Sequence, residues 1–77
     1  MSAAVHFEDR ALGRIEALFG VVAIGCIIPL DHPKHRVAWR FFLPPGPQSP
    51  RPASDTEAAK RAIERCAQQW LEAAGLS

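Results

Sequence analysis

The sequence predicts an α+β domain, three antiparallel strands followed by one C-terminal amphipathic helix packed on one face of the sheet, in the order βββα. Three segments carry this expectation: a helical pattern marked at both ends over residues 54–74, an alternating segment over 36–43, and an apolar, β-branched segment over 21–29. An αββα order is the alternative, because residues 9–19 admit two readings. Leu12, Ile15, Leu18 and Phe19 fit a helical face stopped by Gly20, whereas Gly13-Arg14-Ile15-Glu16-Ala17 alternates as a strand does. The strand is preferred, over about 12–18: Gly13 would weaken a short helix by about 1 kcal/mol, and a lone hairpin needs a third strand.

The second strand, 21–29, holds Gly25 in its interior and ends at Pro29. The apolar run that contains it, Ala17 to Leu30, carries no charge and is shorter than the roughly 20 residues that span a bilayer. Ala23-Ile24-Gly25-Cys26 is a near miss to a lipoprotein cleavage pattern, but Glu8, Asp9 and Glu16 stand where a basic leader belongs. In the third strand, 36–43, Val37, Trp39, Phe41 and Leu43 point one way and Arg36, Ala38, Arg40 and Phe42 the other. Asp31-His32-Pro33-Lys34-His35 between the two strands is of hairpin length.

Residues 44–53 form a proline-rich connection. Their prolines exclude a helix interior and a ladder, so an extended surface crossover is expected in preference to a ligand for a proline-binding module, despite P-x-x-P spacings from Pro44 to Pro47 and from Pro47 to Pro50. The helix then opens at Ser54, where Ser54 and Glu57 make a capping-box pattern and Asp55 and Glu57 complement the helix dipole. Ala59, Ile63, Cys66, Ala67, Trp70, Leu71 and Ala74 recur at spacings of three and four, and Lys60, Arg61, Glu64, Arg65, Gln68 and Glu72 occupy the other side. That polar side mixes signs, which argues against a membrane-surface helix. Gly75 can close the helix in the left-handed conformation, with Leu76 folding back on the last turn.

At 77 residues the chain makes one small domain, 1–77, of a size that buries about 60% of its unfolded surface, so self-association would help its stability. A hydrophobic content of 48% and a charged content of 22% are globular values. Seven arginines against two lysines, with abundant alanine, suit a GC-rich bacterial genome. The net charge of +1 is no electrostatic signature of nucleic-acid binding. Charge is unevenly spread, however: from Asp31 to Arg51 the four bases Lys34, Arg36, Arg40 and Arg51 outweigh one acid, for a local +3.

No stretch matches a family motif, and no catalytic constellation, paired carboxylates, phosphate loop or cofactor signature is present. Cys26 and Cys66 fall on apolar positions, where thiols pack as small hydrophobes, and free thiols in a reducing cytoplasm are expected. A zinc site from His32, His35, Cys26 and Cys66 matches no common ligand spacing, and His6, His32 or His35 would serve as a base only if the fold set one beside a cysteine, so neither metal nor cofactor is expected. What remains is a surface. One helix covers one face of a sheet, and the other face should expose Arg36, Arg40 and Phe42 with apolar residues of the second strand, such as Ile27, and with Arg14 and Glu16. The expectation is a small non-enzymatic binding or accessory protein that contacts a protein partner, a second copy of itself included, and no membrane. The alternative is a nucleic-acid-binding module using Arg36 and Arg40, supported by Lys34 and Arg14; some sheet-plus-helix domains bind DNA in this way, an analogy of fold alone.

Overall fold

The computed structural model describes residues 5–43, 47 and 49–75. Strands β1 (Val5–Asp9), β2 (Ile15–Phe19), β3 (Val22–Pro29), β4 (Val37–Phe41) and β5 (Arg51–Ala53) form a five-stranded antiparallel meander, each strand beside its sequence neighbours. Helix α1 (Thr56–Ala73) follows and packs on one face of the sheet. The α+β class and the C-terminal helix are as the sequence predicts. The strand count is not, and the αββα alternative does not occur.

Three corrections have local physical causes. Leu12 and Gly13 have φ of +63° and +75°, a left-handed pair that no extended strand accommodates. The predicted strand over 12–18 therefore begins only at Ile15, and Ala11–Gly13 is a 3-10 turn linking β2 to an additional strand, β1. Leu12 holds this conformation without being glycine and is almost wholly exposed. At the other edge Arg51–Ala53 does join the ladder, contrary to the expectation for the proline-rich connection. Pro52, opposite Ala38, is tolerated because β5 is an edge strand, where a missing N–H need not face a neighbour. Residues 44–46 and 48 lie outside the described residues, and with them the Pro44 to Pro47 spacing.

The third correction concerns the cap. Asp55, rather than Ser54, is the N-cap: its backbone is extended, its Oδ1 accepts from the Ala58 amide at 2.8 Å, and its carbonyl accepts the Ala59 N–H. A carboxylate also meets the helix dipole where a hydroxyl does not. Asp55→Ala should cost about 1 kcal/mol of stability, and Ser54→Ala far less, as read from urea midpoints at unchanged slope. At the C-terminus Gly75 takes φ +74° and its amide bonds the Glu72 carbonyl, one half of a Schellman closure. Leu76 lies outside the described residues.

The cross-strand register fixes which side chains meet α1, since directly opposed residues share a face. Val5, Phe7, Ile15, Ala17, Phe19, Ile27, Val37, Trp39, Phe41 and Ala53 lie on the helix side and pack with Ala59, Ile63, Ala67, Cys66 and Trp70. Phe19 meets Trp70 edge to face with ring centres 6.5 Å apart, and the Lys60 ammonium sits 5.4 Å from the centre of the Phe7 ring. The β2–β3 pairing shifts register beyond Ala17, so that Ile24 is the extra residue of a β-bulge and is turned into the core beside Ile27. Gly20 opens the two-residue β2–β3 turn with φ +65°, as a type II′ hairpin requires.

Candidate interaction surface

The sheet face away from α1 is built by the same parity. Register places Glu8 opposite Glu16, Glu16 opposite Cys26, and Cys26 opposite Arg40, one continuous row from β1 to β4 on the open side. A neighbouring row holds Ile28, Ala38 and Pro52, and another holds His6, Leu18 and Ala23. Phe42, just past the end of β4, continues the Ala38 and Arg40 alternation and is 49% exposed. The accessible apolar side chains of this face are those of half-buried Cys26 and Ile28 and of exposed Phe42; Leu18 and Ala38 lie on it by register but are buried.

Charge separates across it. Glu8 and Glu16 are a like-charged cross-strand pair, which by itself destabilises a sheet. Arg10 resolves the conflict by donating from Nη1 to Glu8 Oε1 at 2.9 Å and from Nη2 to Glu16 Oε1 at 2.6 Å, while His6 Nε2 lies 3.2 Å from Glu8 Oε2. Those hydrogen bonds, to Glu16 first and then Glu8, hold the Arg10 guanidinium above its ordinary pKa. On the β4 side the guanidinium of Arg40 lies 5.7 Å from the centre of the Phe42 ring, and among the described residues it has no carboxylate partner.

The structure brings part of the sequence-derived set together. Arg40 and Phe42 stand side by side on the open face, with exposed Arg36 immediately before β4 and exposed Lys34 in the β3–β4 connection. Arg14 is separated from them by β2 and β3. It lines a 340 Å³ cleft with Arg10, Ala11, Leu12, Ile15, Glu16 and Cys26. Ile27 is a correction: it is 1% exposed, sits opposite Trp39 and belongs to the core under α1, so it is no part of an outward surface. Alternation along β3 gives the open face Cys26 and Ile28 instead. Glu16 stands on the open face, as expected from the sequence; Glu8 and Arg10 were missed by sequence reasoning, because the strand that carries Glu8 was missed, and the alternation Val5, His6, Phe7, Glu8 is the signal that reveals it.

The cysteines and histidines do not converge. Both thiols are free, Cys26 on the open side and Cys66 on the α1 side, with the sheet between them. Burial pushes the Cys66 thiol up, against a smaller downward pull from Arg65, which leaves little thiolate at neutral pH. In the β3–β4 connection His32 Nδ1 accepts the amides of Lys34 and His35 at 3.1 and 3.2 Å, and the two imidazoles stack 5.0 Å apart. His32 is thereby the structural plug of its turn. Among the described residues no three potential metal ligands cluster, and no helix is long and apolar enough to cross a membrane. No protein-family model, curated protein or solved structure matches the chain.

Proposed function

We propose that this chain is a small non-enzymatic binding or accessory protein that acts by protein contact through the open face of its sheet, with a second copy of itself as the first partner to consider. The observation that carries the reading is the composition of that face: half-buried Cys26 and Ile28 and exposed Phe42 flanked by carboxylates on one side and a guanidinium on the other. An apolar area rimmed by charge is the usual make-up of a contact surface.

Sedimentation equilibrium over a concentration range tests it. Wild-type protein should associate as concentration rises, and Phe42→Asp should stay monomeric with an unchanged far-UV circular dichroism spectrum, since Phe42 is half exposed. Identical sedimentation of the two proteins counts against the reading. The nucleic-acid alternative draws its support from Arg40 lying over Phe42, with Arg36 and Lys34 nearby. Against it stand Glu8 and Glu16 on the same face, which repel phosphate. A short mixed-sequence duplex bound at low salt, and lost on Arg36→Ala with Arg40→Ala, would put that alternative first.

A further inference from the structure

Resting on that reading, we infer that the occupant of the open face is a second copy of this chain, related by a two-fold axis that runs close to parallel with β3 between the two sheets. The inference comes from the order of charges along one row: Glu8 on β1, Glu16 on β2, Cys26 on β3 and Arg40 on β4. An axis parallel to the central strand carries β4 of one copy over β2 of the other and keeps the row in step. Arg40 then faces Glu16 of the second copy, and by symmetry Glu16 faces that copy's Arg40. The other two-fold that packs the sheets face to face, running across the strands, lays β2 on β2 and β4 on β4. It sets Glu16 against Glu16 and Arg40 against Arg40, an arrangement that like-charge repulsion disfavours. Charge therefore selects one of two geometries.

Packed sheets stand about 10 Å apart, a gap that an arginine and a glutamate reaching toward each other bridge together. Arg40 has an ionic partner to gain, because among the described residues it has none. Glu16, which already shares Arg10 with Glu8, meets a second guanidinium that offsets the excess negative charge of the carboxylate pair. Cys26, on the middle strand of the sheet, faces its own counterpart across the axis, while Ile28 and Phe42 of both copies supply the apolar contact.

Charge exchange tests the arrangement. Arg40→Glu and Glu16→Arg should each weaken self-association by roughly tenfold or more, since each places like charges in contact. An equimolar mixture of the two variants should recover association to within about threefold of wild type, because one chain then presents Glu16 and an acid at position 40 to a chain presenting Arg40 and a base at position 16. Folding of each variant is checked by circular dichroism. A short bifunctional thiol reagent should link two chains through Cys26 in a Cys66→Ala background, and should fail to do so when Phe42→Asp is added. The inference is overturned if the mixture stays monomeric, if Arg40→Glu associates as wild type does, or if wild type is monomeric throughout. A mixture that stays monomeric while Phe42→Asp still abolishes a wild-type dimer overturns only this axis and leaves the open face as the contact surface.

Discussion

Ile27→Asp is expected to unfold the protein, as loss of far-UV dichroism and of any cooperative urea transition. Ile27 is 1% exposed, on the α1 side of β3, in a cluster with Ala17, Ile24, Val37, Phe41, Ala59, Ile63 and Ala67. Removing a buried isoleucine side chain costs about 2–5 kcal/mol. An unpaired carboxylate in the same place adds several more, or stays protonated at a similar cost. A domain of this size is stable by only about 4–12 kcal/mol, so the sum removes most or all of the margin. The contrast with Phe42→Asp is the useful part of the experiment. The same new side chain on the open face should leave the fold intact, and a folded Ile27→Asp protein would mean that the core does not lie where the register puts it.

The second large effect is expected at Gly25, where space and not dihedral freedom demands glycine. A Cβ built there would lie 2.5 Å from the carbonyl oxygen of Arg40 and 3.6 Å from the Phe41 Cα. The obstacle is the backbone of β4, so no rotamer change relieves it; β3 and β4 must move apart at the centre of the sheet. Overpacking of this kind costs about 1–3 kcal/mol, and a rigid backbone neighbour places Gly25→Ala near the upper end. A loss of about 3 kcal/mol lowers the Tm of so small a domain by on the order of 15 °C, readily seen by calorimetry. Gly20 makes the comparison: its φ is +65° but nothing lies within 4 Å of an added Cβ, so Gly20→Ala carries only the conformational penalty. Equal Tm values for Gly25→Ala and wild type would mean that β3 and β4 are not in the register described.

Elements ruled by local physics were legible in the chain. Residues of α1 appear at the spacing that buries Ala59, Ile63, Ala67 and Leu71, and the stop at Gly75 takes its left-handed φ. The alternation through β4 correctly separates Val37 and Phe41, which are buried, from Arg40 and Phe42, which are exposed. Within the N-cap, two adjacent residues of capping type compete, and a shift of one residue between Ser54 and Asp55 is a matter of hydrogen-bond geometry that neither residue type announces.

Both edge strands were hidden for a different reason. Val5–Asp9 is short, so its alternation covers only a few residues, and Arg51–Ala53 contains a proline; each is completed as a strand by hydrogen bonds to the strand beside it. Ile27 shows the same dependence. In an apolar run such as Val22–Pro29, period-two alternation carries no polar mark to say which half faces inward, and a bulge at Ile24 moves the parity again.

Sequence alone determined, then, the helix and its inward stripe, the two faces of β4, and the presence of Arg40 and Phe42 on the side away from the helix, because these follow from contacts between residues a few positions apart. Only the tertiary structure decided that the sheet has five strands and that Ile27 lies inside. It also decided that Glu8, Glu16, Cys26 and Arg40 stand in one row. Those residues are neighbours through strand register, and register is settled by the joint burial of all the strands against α1 rather than by any one of them.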